Sequence, residues 1–178
     1  MKVRMLGCLA AMALLVGPAV AAEPEEGGRS PSAEGATVGF ANLADGDVVP
    51  SVFTARFNIA GMGIAPAGVP IDFTGHFHLL IDPAELPPMD QPLPSDKHQL
   101  DFGQGQTKAE LRLTEGQHSL QLILADHEHL PHEPPVISDR ITVTVAAGAA
   151  PPEDLSERSF ESENRRTESR QLSLHADR

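Results

Sequence analysis

The sequence is short of several chemically active side chains. It has one cysteine, Cys8, and neither tryptophan nor tyrosine among its 178 residues. Because Cys8 lies in an N-terminal segment with the pattern of a signal peptide, the remaining chain has no thiol for a disulfide, a nucleophile or a metal ligand. Motifs of serine hydrolases and phosphate-binding loops are also missing. We therefore expect a protein that is not an enzyme.

The N-terminus carries the features of an export signal. Lys2 and Arg4 precede an apolar run over residues 6–16, and Ala19-Val20-Ala21 follows as a small-residue cleavage site. The apolar run is too short to span a bilayer. The sequence thus predicts a signal peptide over residues 1–22, a periplasmic or secreted location, and no membrane insertion after cleavage.

Positive charge is scarce in this chain. Thirteen Lys and Arg residues stand against 25 Asp and Glu residues, which gives a formal net charge of −12. Such a surface repels nucleic acids and anionic membranes and attracts cations. The expected partner is therefore a metal ion or an envelope protein, and the sequence gives no indication of the oligomeric state.

The composition divides the chain into one domain with two extensions. Residues 23–36 are rich in Glu, Gly, Pro and Ser and predict a flexible leader. Residues 146–178 begin with Ala, Gly and Pro and continue with mixed charges, which predicts a disordered tail. Between them, residues 37–145 are enough for a single core of ordinary size.

The central domain has the periodicity of β-strands. Residues 51–60 alternate between apolar and polar positions, and numerous prolines interrupt any long helix. Glu115-Gly116 lies between two predicted strands and predicts a hairpin. The fold class we expect is all-β, an immunoglobulin-like antiparallel β-sandwich. The predicted strands cover residues 37–40, 51–60, 74–82, 106–113, 117–126 and 135–145.

Four segments resemble one known family. They are GHFHLLID, DKHQLDFGQGQT, GQHSLQLIL and DHEHLPHEPPVISDRITVTV, and they are similar to the exported bacterial domain-of-unknown-function family numbered 4399. The resemblance covers about residues 38–145 and implies an exported, β-rich domain whose biochemical role is not established. Members of that family often have histidine at the positions of Phe77 and Asp101. Asp101 is either a substitute oxygen ligand or a sign that this position binds no metal.

Histidine is the residue type that suggests a function. Seven of the eight histidines fall between residues 76 and 132. His76 and His78 are two apart on a predicted strand, so both side chains point to the same face and can approach one ion. The alternative is a pair of polar, partly exposed histidines on the sheet.

A second group of histidines follows the strand over residues 117–126. In the sequence HEHLPHEPP, proline restricts the backbone, so His129 and His132 can be held with little loss of entropy. We expect a metal site formed by His76, His78, His129 and His132. The alternative is a solvated acidic loop whose histidines form only hydrogen bonds.

The donor types restrict the choice of metal. Imidazole and carboxylate without thiolate suit copper(II), zinc or nickel, and the Irving–Williams order places copper first. The metals we expect are copper or zinc. Met62 and Met89 offer thioethers for copper(I) but are more typical of core filling.

His118 shares the parity of the leucines in its strand, which predicts a hydrogen-bonded structural histidine. The rival hypothesis is a structural or interaction module without metal, which binds a partner through the loop over residues 83–105.

Overall fold

A computed structural model describes residues 28–152, and within them the chain forms strands and no helix. No segment of this part of the chain has the helical length and apolarity needed to cross a membrane. The nine strands are β1 (Thr37–Phe40), β2 (Val48–Val49), β3 (Val52–Ala60), β4 (Gly63–Ile64), β5 (Thr74–Ile81), β6 (Gln99–Asp101), β7 (Lys108–Arg112), β8 (Gly116–Ala125) and β9 (Ile141–Val145).

The strands form two sheets. The smaller sheet has the order β1-β3-β7, and the larger has the order β2-β9-β8-β5-β4, with β6 also paired to β5. Pairing is antiparallel except for the short parallel contacts of β2 with β9 and of β4 with β5. The all-β fold class and the sandwich are therefore confirmed, whereas the immunoglobulin-like type stays a prediction.

Alternation along β3 explains how the sheets pack. Its buried and exposed side chains alternate as the sequence predicts, with Phe53, Ala55 and Phe57 on the inner face. The ring of Phe57 lies 5.2 Å from that of Phe77 on β5 and 5.0 Å from that of Phe102. Aromatic pairs at this spacing join the two sheets across the main core.

Strand β5 differs from β3 because both of its faces are buried. Phe77, Leu79 and Ile81 enter the main core, as the alternation predicts. The opposite face, which carries His76, His78 and Leu80, is also shielded from solvent. There Leu80 packs in a second apolar cluster with Leu93, Ile123 and Ala125. The histidine face is thus covered by the loops that flank the sheet.

The predicted hairpin at Glu115-Gly116 is wrong. Strand β7 pairs with β3 in the small sheet, whereas β8 pairs with β5 and β9 in the large sheet. A short loop fixes only the reversal of the chain, and here the chain crosses from one sheet to the other. Gly116 has φ of 127°, a conformation that a side chain disfavours.

The last predicted strand is shorter than expected. Residues 135–140 run beside β8 with scattered contacts, and regular pairing begins at Ile141. Pro134 and Pro135 have no N–H groups to donate to a ladder. Strands β2, β4 and β6 are two or three residues long and carry no alternation that a sequence can reveal.

The predicted extensions lie largely outside the described residues. This holds for the signal peptide over residues 1–22 and for the tail from residue 153 onward. Residues 28–36 of the predicted flexible leader are described, and they contact the loop that follows β8. Pro31 forms a bridge with Glu133, and the Ser32 N–H donates to the Glu133 carbonyl at 3.1 Å.

Candidate metal centre

The first two side chains of the site come from β5. His76 and His78 are two residues apart on this strand, which places both rings on the same face of the sheet. Both side chains have 0% solvent exposure. Their Nε2 atoms lie 3.1 Å apart. The pair is therefore a buried, convergent pair of nitrogens and differs from the partly exposed pair that the sequence left as an alternative.

The third member is Asp101 on β6. This residue is directly opposite His78 in the antiparallel register of β5 and β6, and directly opposed residues share one face of a sheet. Its Oδ1 lies 3.3 Å from Nε2 of His76 and 3.5 Å from Nε2 of His78. Oδ1 is buried and has no hydrogen-bond partner among the described residues.

The fourth member, His129, comes from the loop after β8. Its Nδ1 lies 3.1 Å from Nε2 of His76 and 3.5 Å from Nε2 of His78. Oδ2 of Asp101 is 3.7 Å away. His129 has φ of 64°, in the left-handed region that non-glycine residues seldom adopt. The surrounding loop must therefore stabilise a backbone conformation that is unfavourable by itself.

Asp126 supplies that stabilisation. Its Oδ1 accepts hydrogen bonds from the N–H groups of Glu128 at 2.9 Å and Leu130 at 3.0 Å. Burial works to raise the pKa of Asp126, but the hydrogen bonds from Ser30, Glu128 and Leu130 outweigh it and hold the pKa below its ordinary value. The ionised carboxylate thus organises the turn that carries His129.

The four donor groups match the geometry of a tetrahedral ion. Donor atoms at about 2.0–2.1 Å from one tetrahedral ion lie about 3.3–3.4 Å from each other. The closest approaches among the four residues range from 3.1 to 3.7 Å, with Oδ1 of Asp101 nearest the two strand histidines and Oδ2 nearest His129. All four ligating atoms lie within 4.8 Å of one another. These residues can therefore surround one metal ion.

Burial keeps the two strand histidines in the form that binds metals. Desolvation, together with the neighbouring His76 ring, lowers the pKa of His78 to about 4, and desolvation also lowers the pKa of His76. Both rings are neutral at pH 7, so neither forms an ion pair with Asp101. A buried carboxylate oxygen facing neutral imidazoles lacks a positive charge nearby, and a bound cation would supply it.

The site lacks one common feature of metal centres. The Nδ1 atoms of His76 and His78 are buried without a hydrogen-bond partner among the described residues. Metal-binding imidazoles usually donate this second N–H to a carbonyl or carboxylate, which fixes the tautomer. Here the orientation of the two rings rests on packing around β5.

His132, the remaining predicted ligand, lies outside the group. Its side chain is buried, and its Nε2 lies 3.1 Å from the carbonyl oxygen of Thr74. Burial lowers its pKa as well. The structure therefore brings together three of the four predicted side chains, His76, His78 and His129, and adds Asp101 to them.

His118 and the two methionines lie outside the group of four residues and have different surroundings. His118 lies 2.7 Å from Oδ2 of Asp82 and 2.9 Å from the carbonyl oxygen of Thr114, as expected of a structural histidine. Met62 packs against the main core and Met89 against the second apolar cluster. Both methionines therefore have the surroundings expected of core-filling residues.

The sequence leaves two alternatives for Asp101, an oxygen ligand or a position that binds no metal. The structure places Asp101 on β6, a three-residue strand within a long, proline-rich loop. The one signal for Asp101 is alternation along the strand. Gln99 and Asp101 are two residues apart on β6 and lie opposite Leu80 and His78 on β5. That signal becomes usable only once the pairing of β6 with β5 is known.

Comparison with known proteins assigns the chain to a family. The family described as Domain of unknown function (DUF4399) matches residues 55–146, which is more than half of the chain. The chain belongs to this family. The matched region of this DUF4399 domain includes all four residues of the site. No curated protein and no solved structure matches the chain.

Proposed function

We propose that this DUF4399 domain binds one transition-metal ion through His76, His78, Asp101 and His129. The observation that carries the proposal is the buried Oδ1 of Asp101, which faces two neutral imidazoles and has no hydrogen-bond partner among the described residues. A cation at the centre of the four groups would pair with the carboxylate and accept the lone pairs of the nitrogens. The acidic chain, with a net charge of −12, would favour cation approach.

Zinc suits the site better than copper(II). A square-planar copper(II) ion places two pairs of donor atoms on opposite sides, about 4 Å apart. Any three ligands of such an ion include one opposite pair, whereas the three imidazole nitrogens of the site lie only 3.1, 3.1 and 3.5 Å apart. These separations are close to the distances between the ligands of a tetrahedral ion. The proposal therefore names zinc, although the affinity order alone favoured copper.

The proposed role is metal handling in the cell envelope without catalysis. Catalytic zinc sites keep one coordination position for water or substrate, whereas sites with four protein ligands are closed. Here four side chains would fill a tetrahedral shell. The side chains of His129 and Asp101 are 36% and 22% exposed, so one side of the site is accessible to an incoming ion. Export of the chain is part of the same proposal and rests on the pattern of residues 1–22.

Calorimetric titration tests the proposal. The purified chain, freed of metal, is titrated with zinc and with copper(II) near pH 7, beside a His76→Ala/His78→Ala variant. His98→Ala is the matched control, because His98 is exposed and lies outside the site. We expect one ion per chain with sub-micromolar affinity, lost in the double variant and kept in the control. Weak binding that all three chains share would contradict the proposal.

A second candidate function is an interaction module of the envelope. Val69, Ile71 and Phe73 are exposed large apolar side chains within five residues of the loop before β5, and Phe73 has φ of 55°. Exposed apolar side chains that cluster in this way favour a protein partner. This surface differs from the loop over residues 83–105 that the sequence suggested. Capture of envelope proteins by the unsubstituted chain and by an Ile71→Asp/Phe73→Asp variant tests it, and equal capture would contradict it.

A further inference from the structure

The N-terminal segment over residues 29–32, here called the clasp, is hydrogen-bonded to the loop that carries His129. Nε of Arg29 donates to the carbonyl oxygen of Pro131 at 2.8 Å. The same guanidinium also donates to the carbonyl of His132 and to the carboxylate of Glu133. Backbone bonds add to these contacts, since the Glu133 N–H donates to the carbonyl of Ser30 at 2.9 Å.

One side chain of the clasp reaches the turn around His129. The hydroxyl of Ser30 donates to Oδ2 of Asp126 at 2.6 Å. The other oxygen of Asp126 accepts the N–H groups on either side of His129, those of Glu128 and Leu130. Ser30 therefore anchors the carboxylate that orders this turn, although its own hydroxyl does not contact any metal-binding atom.

The turn needs such an anchor because His129 has an unfavourable backbone conformation. Its φ of 64° is stable only if the surrounding hydrogen bonds hold it. Asp126 provides those bonds, and its carboxylate is fixed from the opposite side by Ser30. If Ser30 lost its hydroxyl, Asp126 would have one fewer bond to fix its orientation. Nδ1 of His129 would then be held less firmly, at 3.1 Å from His76.

We infer that the clasp is part of the metal centre, and that Ser30 is a positioning residue for His129. This inference rests on the proposed function, since it concerns the affinity of the same site. Coupling between two binding events is reciprocal. Docking of the clasp therefore raises the affinity for zinc, and zinc in turn stabilises the docked clasp. The site is assembled from four separate segments: the clasp, β5, β6 and the loop after β8.

Substitution of Ser30 tests the positioning role. We expect Ser30→Ala to weaken zinc binding by about tenfold, the lower end of the range for loss of an outer-shell partner. Ser30→Thr keeps a hydroxyl and should restore most of the affinity. Ser32→Ala is the matched control, because the hydrogen bond of Ser32 to the loop comes from its backbone N–H. Equal affinities of the unsubstituted chain and Ser30→Ala would overturn the inference.

Cobalt(II) separates positioning from a general loss of stability. The visible spectrum of cobalt(II) depends on the arrangement of its ligands, so a displaced His129 should change the spectrum of saturated Ser30→Ala. A purely structural role of Ser30 would lower the melting temperature and leave the spectrum and the zinc affinity unchanged. That result would overturn the inference.

Hydrogen exchange tests the reciprocal effect. We expect zinc to slow amide exchange in residues 29–32 of the unsubstituted chain, and to slow it less in Ser30→Ala. If zinc binds with high affinity and exchange in the clasp does not change, the inference fails while the proposed function stands. If the unsubstituted chain does not bind zinc, the proposed function itself fails.

Discussion

His78 on β5 and Asp101 on β6 are direct cross-strand partners, and Nε2 of the histidine lies 3.5 Å from Oδ1 of the carboxylate. This cross-strand pairing brings a carboxylate oxygen close to His76 and His78, which the sequence predicts on one face of the same strand. Its register is fixed by three residue pairs between β5 and β6. The site is consequently part of the sheet, with His129 added from the loop after β8.

Removal of the carboxylate should weaken the proposed site. We expect Asp101→Ala to reduce zinc affinity by at least about 100-fold, because a direct ligand contributes more than an outer-shell partner. Calorimetry or competition with a coloured chelator measures the change. Asp90→Asn serves as the control, since Asp90 is exposed and lies outside the site. An affinity equal to that of the control would show that Asp101 is not a ligand.

Zinc should stabilise the folded chain. An ion that binds only the folded state raises the free energy of unfolding by about 2.7 kcal/mol at a free concentration 100 times its Kd. Urea titrations with and without zinc measure this increase, and a chelator should reverse it. The His76→Ala/His78→Ala variant should gain nothing from zinc. An equal gain in that variant would place the bound ion elsewhere.

The metal-free chain should lose stability between pH 6.5 and about pH 4. The pKa of His78 is about 4 in the folded state, below its ordinary value of 6.5. In this window the unfolded chain binds a proton that the folded chain does not, so stability rises with pH. The loss of stability that His78 causes approaches about 3 kcal/mol at the acidic end of this window. The lowered pKa values of His76 and His132 act in the same direction.

Urea unfolding of the metal-free chain at pH 7 and pH 5 checks this dependence. His78→Gln removes one titrating group and should flatten the profile, and His98→Gln, a substitution at an exposed position, is the matched control. A profile that stays equally steep in His78→Gln would contradict the assignment of the low pKa to His78.

His129 and His132 should respond differently to substitution. His129→Ala removes a proposed ligand and should abolish tight zinc binding with little change in the stability of the metal-free chain. His132→Ala removes a buried ring whose Nε2 faces the carbonyl of Thr74 and should cost about 1–3 kcal/mol. Its zinc affinity should fall far less than that of His129→Ala. The reverse order of affinities would return His132 to the ligand set.

The sequence predicts the parts of this site that depend on local periodicity. Alternation along β5 is sufficient to place His76 and His78 on one face and Phe77 on the other. It also predicts the inner face of β3. These inferences hold because neighbouring side chains on any strand point to opposite faces, whatever the strand pairs with.

The remaining features depend on contacts between distant segments. The connection at Glu115-Gly116 has the length of a hairpin, but the partner of each strand is chosen by the packing of two sheets. Similarly, the spacing of His129 and His132 does not reveal which ring points to β5. That choice depends on the Asp126 turn and on the clasp, whose residues are about 100 positions away in the sequence.

X-ray absorption at the zinc edge identifies the atoms that surround the bound ion. The purified chain is loaded with one equivalent of zinc, and the spectrum reports the number and type of ligands. We expect four light-atom ligands at about 2.0–2.1 Å, with the scattering of three imidazoles and one carboxylate oxygen. Asp101→Ala should lose the carboxylate contribution. A shell of five or six oxygen ligands with one imidazole or none would contradict the proposed metal centre.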